Sequence, residues 1–179
     1  MSYLGKMKGG QGRSQARVSA AEIWWSWLGA FLGITAVAGL HYQVLAERDL
    51  LLIVGSFGAS AVLIYGAIAS PLAQPRNLLG GHILSALVGV ACYQLLQPNL
   101  WLASAVAVAT AIALMHASKT LHPPGGATAL IAVIGGPEIH NLGYWYALLP
   151  VGSGALIMLV VALLINNLPA TRRYPEFWL

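Results

Sequence analysis

Apolar residues in this chain fall into runs long enough to cross a bilayer, with polar residues confined to short breaks between them. The first run, about Trp24 to Leu45, ends at Glu47-Arg48-Asp49. A second, Leu50 to Ala69, leads into the loop Ser70 to Asn77. Further runs cover about Leu78 to Leu96, Leu100 to Ala117, a short stretch closing at Ile134-Gly-Gly-Pro137, and a last segment reaching about Leu168. A hydrocarbon core ~30 Å thick takes about 20 helical residues to cross, so the pattern predicts an all-α membrane protein of about six segments. Trp24, Trp25, Trp27, Trp101 and Tyr144-Trp-Tyr146 stand at the ends of runs, where aromatic rings favour the headgroup level.

Composition agrees: of 179 residues, 58% are hydrophobic and 8% charged, far from the quarter charged of a soluble domain. We therefore expect one transmembrane domain over residues 21–170, a flexible basic tail over 1–20 and a short tail over 171–179. The first run is too long, and the stretch before it too polar, for a cleavable signal peptide. The single cysteine, Cys92, allows no internal disulfide and suggests no metal site.

Charge sets an orientation. A six-segment count puts Lys6, Lys8, Arg13, Arg17, Arg76, Lys119, Arg172 and Arg173 on one side and leaves only Arg48 on the other. By the positive-inside rule both termini are then cytoplasmic, and the basic ends report orientation rather than nucleic-acid binding.

The most unusual stretch is Lys119-Thr-Leu-His-Pro-Pro-Gly-Gly-Ala-Thr-Ala-Leu130. Two prolines break a helix, because neither has a backbone N–H and the residue ahead of them is forced out of the α region. The apolar run that follows spans only ~15 Å from Gly125 to Ile134 at ~1.5 Å per residue, half the hydrocarbon core. A half-helix entered by non-helical backbone fits this length, and such backbone needs protein or water to cover it. Its first residues, Gly125 and Gly126, would present bare amides to a small anion.

Offset by 68 positions, Gly58-Ala-Ser-Ala-Val-Leu63 overlays Gly126-Ala-Thr-Ala-Leu-Ile131 with identical or similar residues throughout. The same offset lays the first segment on the fourth and the third on the sixth. Each unit holds three segments, so the two copies would enter the membrane from opposite sides, as in transporters built on inverted repeats. Two broken helices would then point their N-termini at one site. The residues expected there are Gly58, Ala59, Ser60, Gly125, Gly126, Ala127 and Thr128, with the ionisable His82 beside them. Arg76, Asn77, Lys119 and His122 are expected to line or close the pathway. Each has a structural alternative: His122 as a cap on the broken backbone, Ser60 and Thr128 bonded to carbonyls one turn back, Arg76 and Lys119 as boundary markers. Ser85 and Gly89 read as a small-residue packing face. No catalytic constellation, metal-ligand spacing or cofactor motif is recognisable, and we expect no enzyme activity.

The Lys119–Leu130 stretch resembles the signature of the HPP family of integral membrane proteins. Gly55-Ser-Phe-Gly-Ala-Ser-Ala61 and Ser70-Pro-Leu-Ala-Gln-Pro-Arg-Asn-Leu-Leu-Gly-Gly-His82 resemble its other two motifs. The resemblance covers roughly residues 20–168. It implies transport of nitrite, in a bacterial inner membrane or a plastid-type membrane, and the family is usually described with fewer segments than six. A membrane assembly or sensor subunit is the other expectation. A small protein of this kind is also expected to form a homo-oligomer in the lipid bilayer.

Overall fold

The computed structural model describes Met7, residues 18–45 and residues 53–179. The expected basic tail over 1–20 falls almost wholly outside the described residues, as does the Glu47-Arg48-Asp49 break. The helices are α1 (Ala20–Leu40), α2 (Ser56–Ala61), α3 (Pro75–Leu96), α4 (Leu100–Ala117), α5 (Pro123–Ile134), α6 (Pro137–His140) and α7 (Ser153–Ile165). Wider helical turns extend α1 to Leu45 and α2 to Gly66, and a kinked stretch over Gly143–Gly152 leads into α7.

Among the described residues, four helical stretches are long and apolar enough to cross a membrane: Ala20–Val44, Pro75–Leu96, Leu100–Ala117 and Gly143–Ile165. Two apolar helices, Ser56–Gly66 and Pro123–Ile134, are too short to cross at ~1.5 Å per residue. The expected full-length second segment, Leu50 to Ala69, is therefore helical only from Ser56 to Gly66 among its described residues. The loop expected over Ser70 to Asn77 is also shorter than read. Pro75 occupies the first turn of α3, where its missing N–H costs nothing and its φ suits a helix, so Arg76 and Asn77 already lie on the helix.

Local chemistry sets the helix ends. Ser19 caps α1 by accepting from the Glu22 N–H at 3.1 Å, the first half of a capping box. His122, held at φ −138° and ψ 104° ahead of two prolines, starts α5. The chain reverses before it through Lys119, whose φ is 57°.

Long helices pack through small residues. Gly29 and Gly33 of α1 leave room for the Tyr65 ring, whose hydroxyl donates to the Met158 carbonyl at 3.0 Å. Gly89 of α3 lets the α5 backbone approach, since a Cβ there would lie 2.5 Å from the Ala129 carbonyl oxygen. Trp24, Trp27 and Phe31 stack along the exposed side of α1 with centroids 5.3 and 5.2 Å apart.

One end of the molecule gathers several distant segments. Arg172 is 7% exposed and donates to Glu22 Oε2 at 3.0 Å, Ser26 Oγ at 2.8 Å and Asn166 Oδ1 at 3.2 Å. Asn166 in turn donates to the Ile64 carbonyl at 2.8 Å. Tyr174 donates its hydroxyl to the Ala73 carbonyl at 2.7 Å, and the Glu176 N–H bonds Gln74 Oε1 at 2.8 Å. Burial pushes the Tyr174 phenol above its ordinary range, so it stays a donor. The short tail over 171–179 is partly buried against the start of α1 and the 70–74 turn. The start of α1, the 70–77 segment and the C-terminal stretch therefore share one end.

Candidate functional site

The two short helices cross beside α3, and each brings hydroxyls to the crossing. Ser56 and Ser60 are four residues apart, so they share one face of the α2 segment. Ser56 Oγ lies 2.8 Å from Thr128 Oγ1, whereas Ser60 Oγ lies 2.9 Å from His122 Nε2. The contact order is reversed along the two segments, so α2 and α5 run antiparallel.

His82 comes from α3, two turns in from Pro75, and completes the crossing. Its Nε2 is 2.7 Å from Ser60 Oγ and its Nδ1 is 2.7 Å from Thr128 Oγ1. The His82 and His122 rings meet edge to face with centroids 5.0 Å apart, and Phe57 packs on His82 at 5.5 Å. His122 Nδ1 donates to the Leu72 carbonyl at 2.9 Å, which ties the site to the turn before α3. Ser60, His82, His122 and Thr128 are each 0% exposed and Ser56 is 1% exposed. Among the described residues, no side-chain atom of this network lacks a partner. That satisfaction matters, because an unpaired polar group in an apolar interior costs about 1–3 kcal/mol.

Backbone shape explains why the network forms here. Gly81 allows His122 and Thr120 close to α3: a Cβ on it would sit 2.6 Å from His122 Cβ and 2.8 Å from the Thr120 carbonyl. Gly125 likewise fits against Ser85 Oγ and the Gly81 carbonyl. Tyr146 donates to the Thr128 carbonyl at 3.3 Å and holds the α5 side of the crossing.

The expected site residues divide. Ser60, His82, Thr128 and His122 come together, with His122 in the network itself rather than along a pathway. Gly58 and Ala59 are exposed on the outer side of α2, and Gly58 lines an apolar surface groove of about 470 Å³ against α1 with Ser26, Trp27 and Ala30. Gly126 and Ala127 are half-buried, and the closest approach to Gly126 is Val108 of α4. The bare amides expected at the α5 start are also reduced. Pro123 and Pro124 have no N–H, and the Gly125 N–H donates to the His122 carbonyl at 2.8 Å. Side chains, not helix-end amides, supply the polar groups at the crossing.

Arg76 and Asn77 take part in a different contact. Arg76 Nη2 donates to the Ser118 carbonyl at 2.8 Å and Asn77 Nδ2 to the Leu121 carbonyl at 2.9 Å, fastening the 118–121 strap over the head of α3. Lys119 is exposed at the turn of that strap. Ser56 is the residue that the sequence reading passed over. Its spacing of four from Ser60 was the signal available, and its pairing with Thr128 was not readable before the helices were seen to cross.

Comparison with known proteins agrees that the chain is a membrane protein. A protein of Dictyostelium discoideum named only as a transmembrane protein is 49% identical over 181 residues, covering 99% of this chain and 58% of that relative. A second Dictyostelium discoideum transmembrane protein is 48% identical over 160 residues, covering 88% of this chain and 56% of its own length. The chain thus spans a little over half the length of these relatives. No solved structure matches it. The family model described as "HPP, transmembrane region" matches residues 15–175, which take in every helix of the fold and every residue of the buried network, and the chain belongs to the HPP family of transmembrane proteins.

Proposed function

We propose that this protein carries a small inorganic anion, nitrite in the first instance, across the membrane at the α2–α5 crossing. The carrying observation is a closed set of two imidazoles and three hydroxyls buried inside a multi-span protein, where polar groups of this kind mark ion or substrate paths. The family resemblance supplies nitrite; the residues supply a reason for an anion. Hydroxyl and imidazole N–H groups are donors that replace part of an anion's hydration shell, and none of the five side chains is a carboxylate that would repel it.

Binding at such a site is weak. Each neutral hydrogen bond contributes about 0.5–1.5 kcal/mol net, and the anion has to displace bonds that the network already makes. A site that an ion must leave as well as enter needs this weakness. The reading extends to architecture: the antiparallel α2 and α5 form the centre of two inverted three-segment repeats, with both termini cytoplasmic and the protein acting as a homo-oligomer.

Nitrite uptake into liposomes holding only this protein tests the proposal. Uptake above that of empty liposomes, lowered severalfold in Thr128→Val, is the expected result. No uptake above background overturns it in favour of a non-transporting assembly or sensor subunit, a role that the fully satisfied, closed network also suits.

A further inference from the structure

The buried network has a hydrogen-bond polarity that can be assigned from one fixed end. The Leu72 carbonyl only accepts, so His122 Nδ1 carries a hydrogen. With that ring neutral, Nε2 accepts, and the Ser60 hydroxyl donates to it. The Ser60 oxygen then accepts from His82 Nε2, which leaves His82 Nδ1 as an acceptor for the Thr128 hydroxyl. Thr128 Oγ1 is also placed to donate to Ser56 Oγ, 2.8 Å away.

Two nearby carbonyls also remain unused in this arrangement. The Ser56 carbonyl lies 3.4 Å from Ser60 Oγ, and the Pro124 carbonyl lies 3.2 Å from Thr128 Oγ1. They matter when a proton is added. If His122 Nε2 is protonated it becomes a donor to Ser60, and the Ser60 hydroxyl turns to the Ser56 carbonyl. If His82 Nδ1 is protonated it donates to Thr128, and the Thr128 hydroxyl turns to the Pro124 carbonyl. Either imidazole therefore accepts a proton by rotation of one hydroxyl, with no hydrogen bond lost. A second proton would place two imidazolium rings 5.0 Å apart in an apolar interior, where like charges repel strongly. The titratable groups facing the pair are each other and the Tyr146 phenol, which points to the Thr128 carbonyl. Arg76 is engaged on the Ser118 carbonyl at the rim, and Lys119 is exposed there.

We propose that the site takes up one proton with each anion, making transport an electroneutral proton–anion symport. One N–H bond forms on entry and breaks on exit, nothing is oxidised or reduced, and the imidazolium charge cancels that of the anion while both are in the interior. This inference rests on the transport reading, and the test separates the two.

Liposomes holding the full chain are given nitrite under either of two gradients: a pH gradient, alkaline inside, at zero potential, or a potassium diffusion potential, positive inside, at equal pH. Rates are corrected for empty liposomes, because nitrous acid leaks through lipid. The expected result is uptake accelerated about tenfold by the pH gradient, unmoved by the potential, with one proton entering per nitrite by an internal pH dye. Uptake that follows the potential and ignores the pH gradient overturns the symport and leaves the transport reading standing. No uptake under either gradient overturns transport itself, and the symport with it. The double variant His82→Gln with His122→Gln is the sharper one, since either imidazole alone could take the proton, whereas a carboxamide can accept and donate hydrogen bonds without taking one. It should lose at least about tenfold of the pH-driven rate, and an unchanged, still pH-driven rate overturns the proposal.

Discussion

Two buried polar networks among the described residues differ in whether their hydrogen bonds can reverse direction. At the end of the bundle, Arg172 joins Glu22, Ser26 and Asn166 around a full charge pair. At the α2–α5 crossing, Ser56, Ser60, His82, His122 and Thr128 make a ring of hydroxyls and imidazoles. In the first, a guanidinium has donors only, so every partner must accept from it and the direction of each bond to Arg172 is fixed. In the second, hydroxyls donate and accept, and spare carbonyls lie within reach of two of them. The first network fixes the chain ends. The second can rearrange its hydrogens without moving its heavy atoms, as the proposed ion site requires.

Substitutions should expose this difference. The largest stability loss is expected from Arg172→Ala, about 3 kcal/mol, at the low end of the ~3–5 kcal/mol for breaking a buried pair because the Glu22 side chain keeps 31% exposure. Thermal unfolding in detergent reads it, and a loss below about 1 kcal/mol would remove the charge pair from the supports of the fold. Gly89→Ala should follow at about 1–3 kcal/mol, because the new Cβ would meet the Ala129 carbonyl and Ala132 Cβ and backbone yields little.

Thr128→Val should cost about 1–3 kcal/mol through the orphaned His82 Nδ1 and, unlike the first two, should lower anion uptake more than stability predicts. Rescue of uptake by Thr128→Ser would tie the effect to the hydroxyl; failure of that rescue would assign it to packing. Tyr174→Phe removes one bond to the Ala73 carbonyl and should cost about 1 kcal/mol. The smallest effect is expected at Gly58→Ala, where nothing lies within 4 Å of the new Cβ. Its stability should hold or rise by about 0.5–1 kcal/mol from helix propensity, with uptake unchanged. Lost uptake in that folded variant would return Gly58 to the site.

Periodicity and composition carried the fold class because a bilayer imposes length and apolarity on each segment separately, and both are local quantities. The break at His122-Pro-Pro124 was equally legible, since proline acts on its own backbone and its neighbour's. The surroundings of Gly58 and Gly126 were not legible in the same way: a glycine's freedom is visible in the sequence, but its use depends on what stands opposite. Gly81, Gly89 and Gly125 turned out to face backbone across a helix contact, whereas Gly58 faces a surface groove.

By itself, the sequence determined an all-helical membrane protein, one segment too short to span, Gly125 to Ile134, and the segments that share one end. Tertiary structure alone decided that residues 56, 60, 82, 122 and 128 meet. Their contacts join three helices and a turn far apart in the chain, with Ser60 and His122 separated by 62 positions. Hydrogen bonds reach only about 3 Å, so which hydroxyl meets which imidazole is fixed by helix crossing and rotation. No local pattern encodes those.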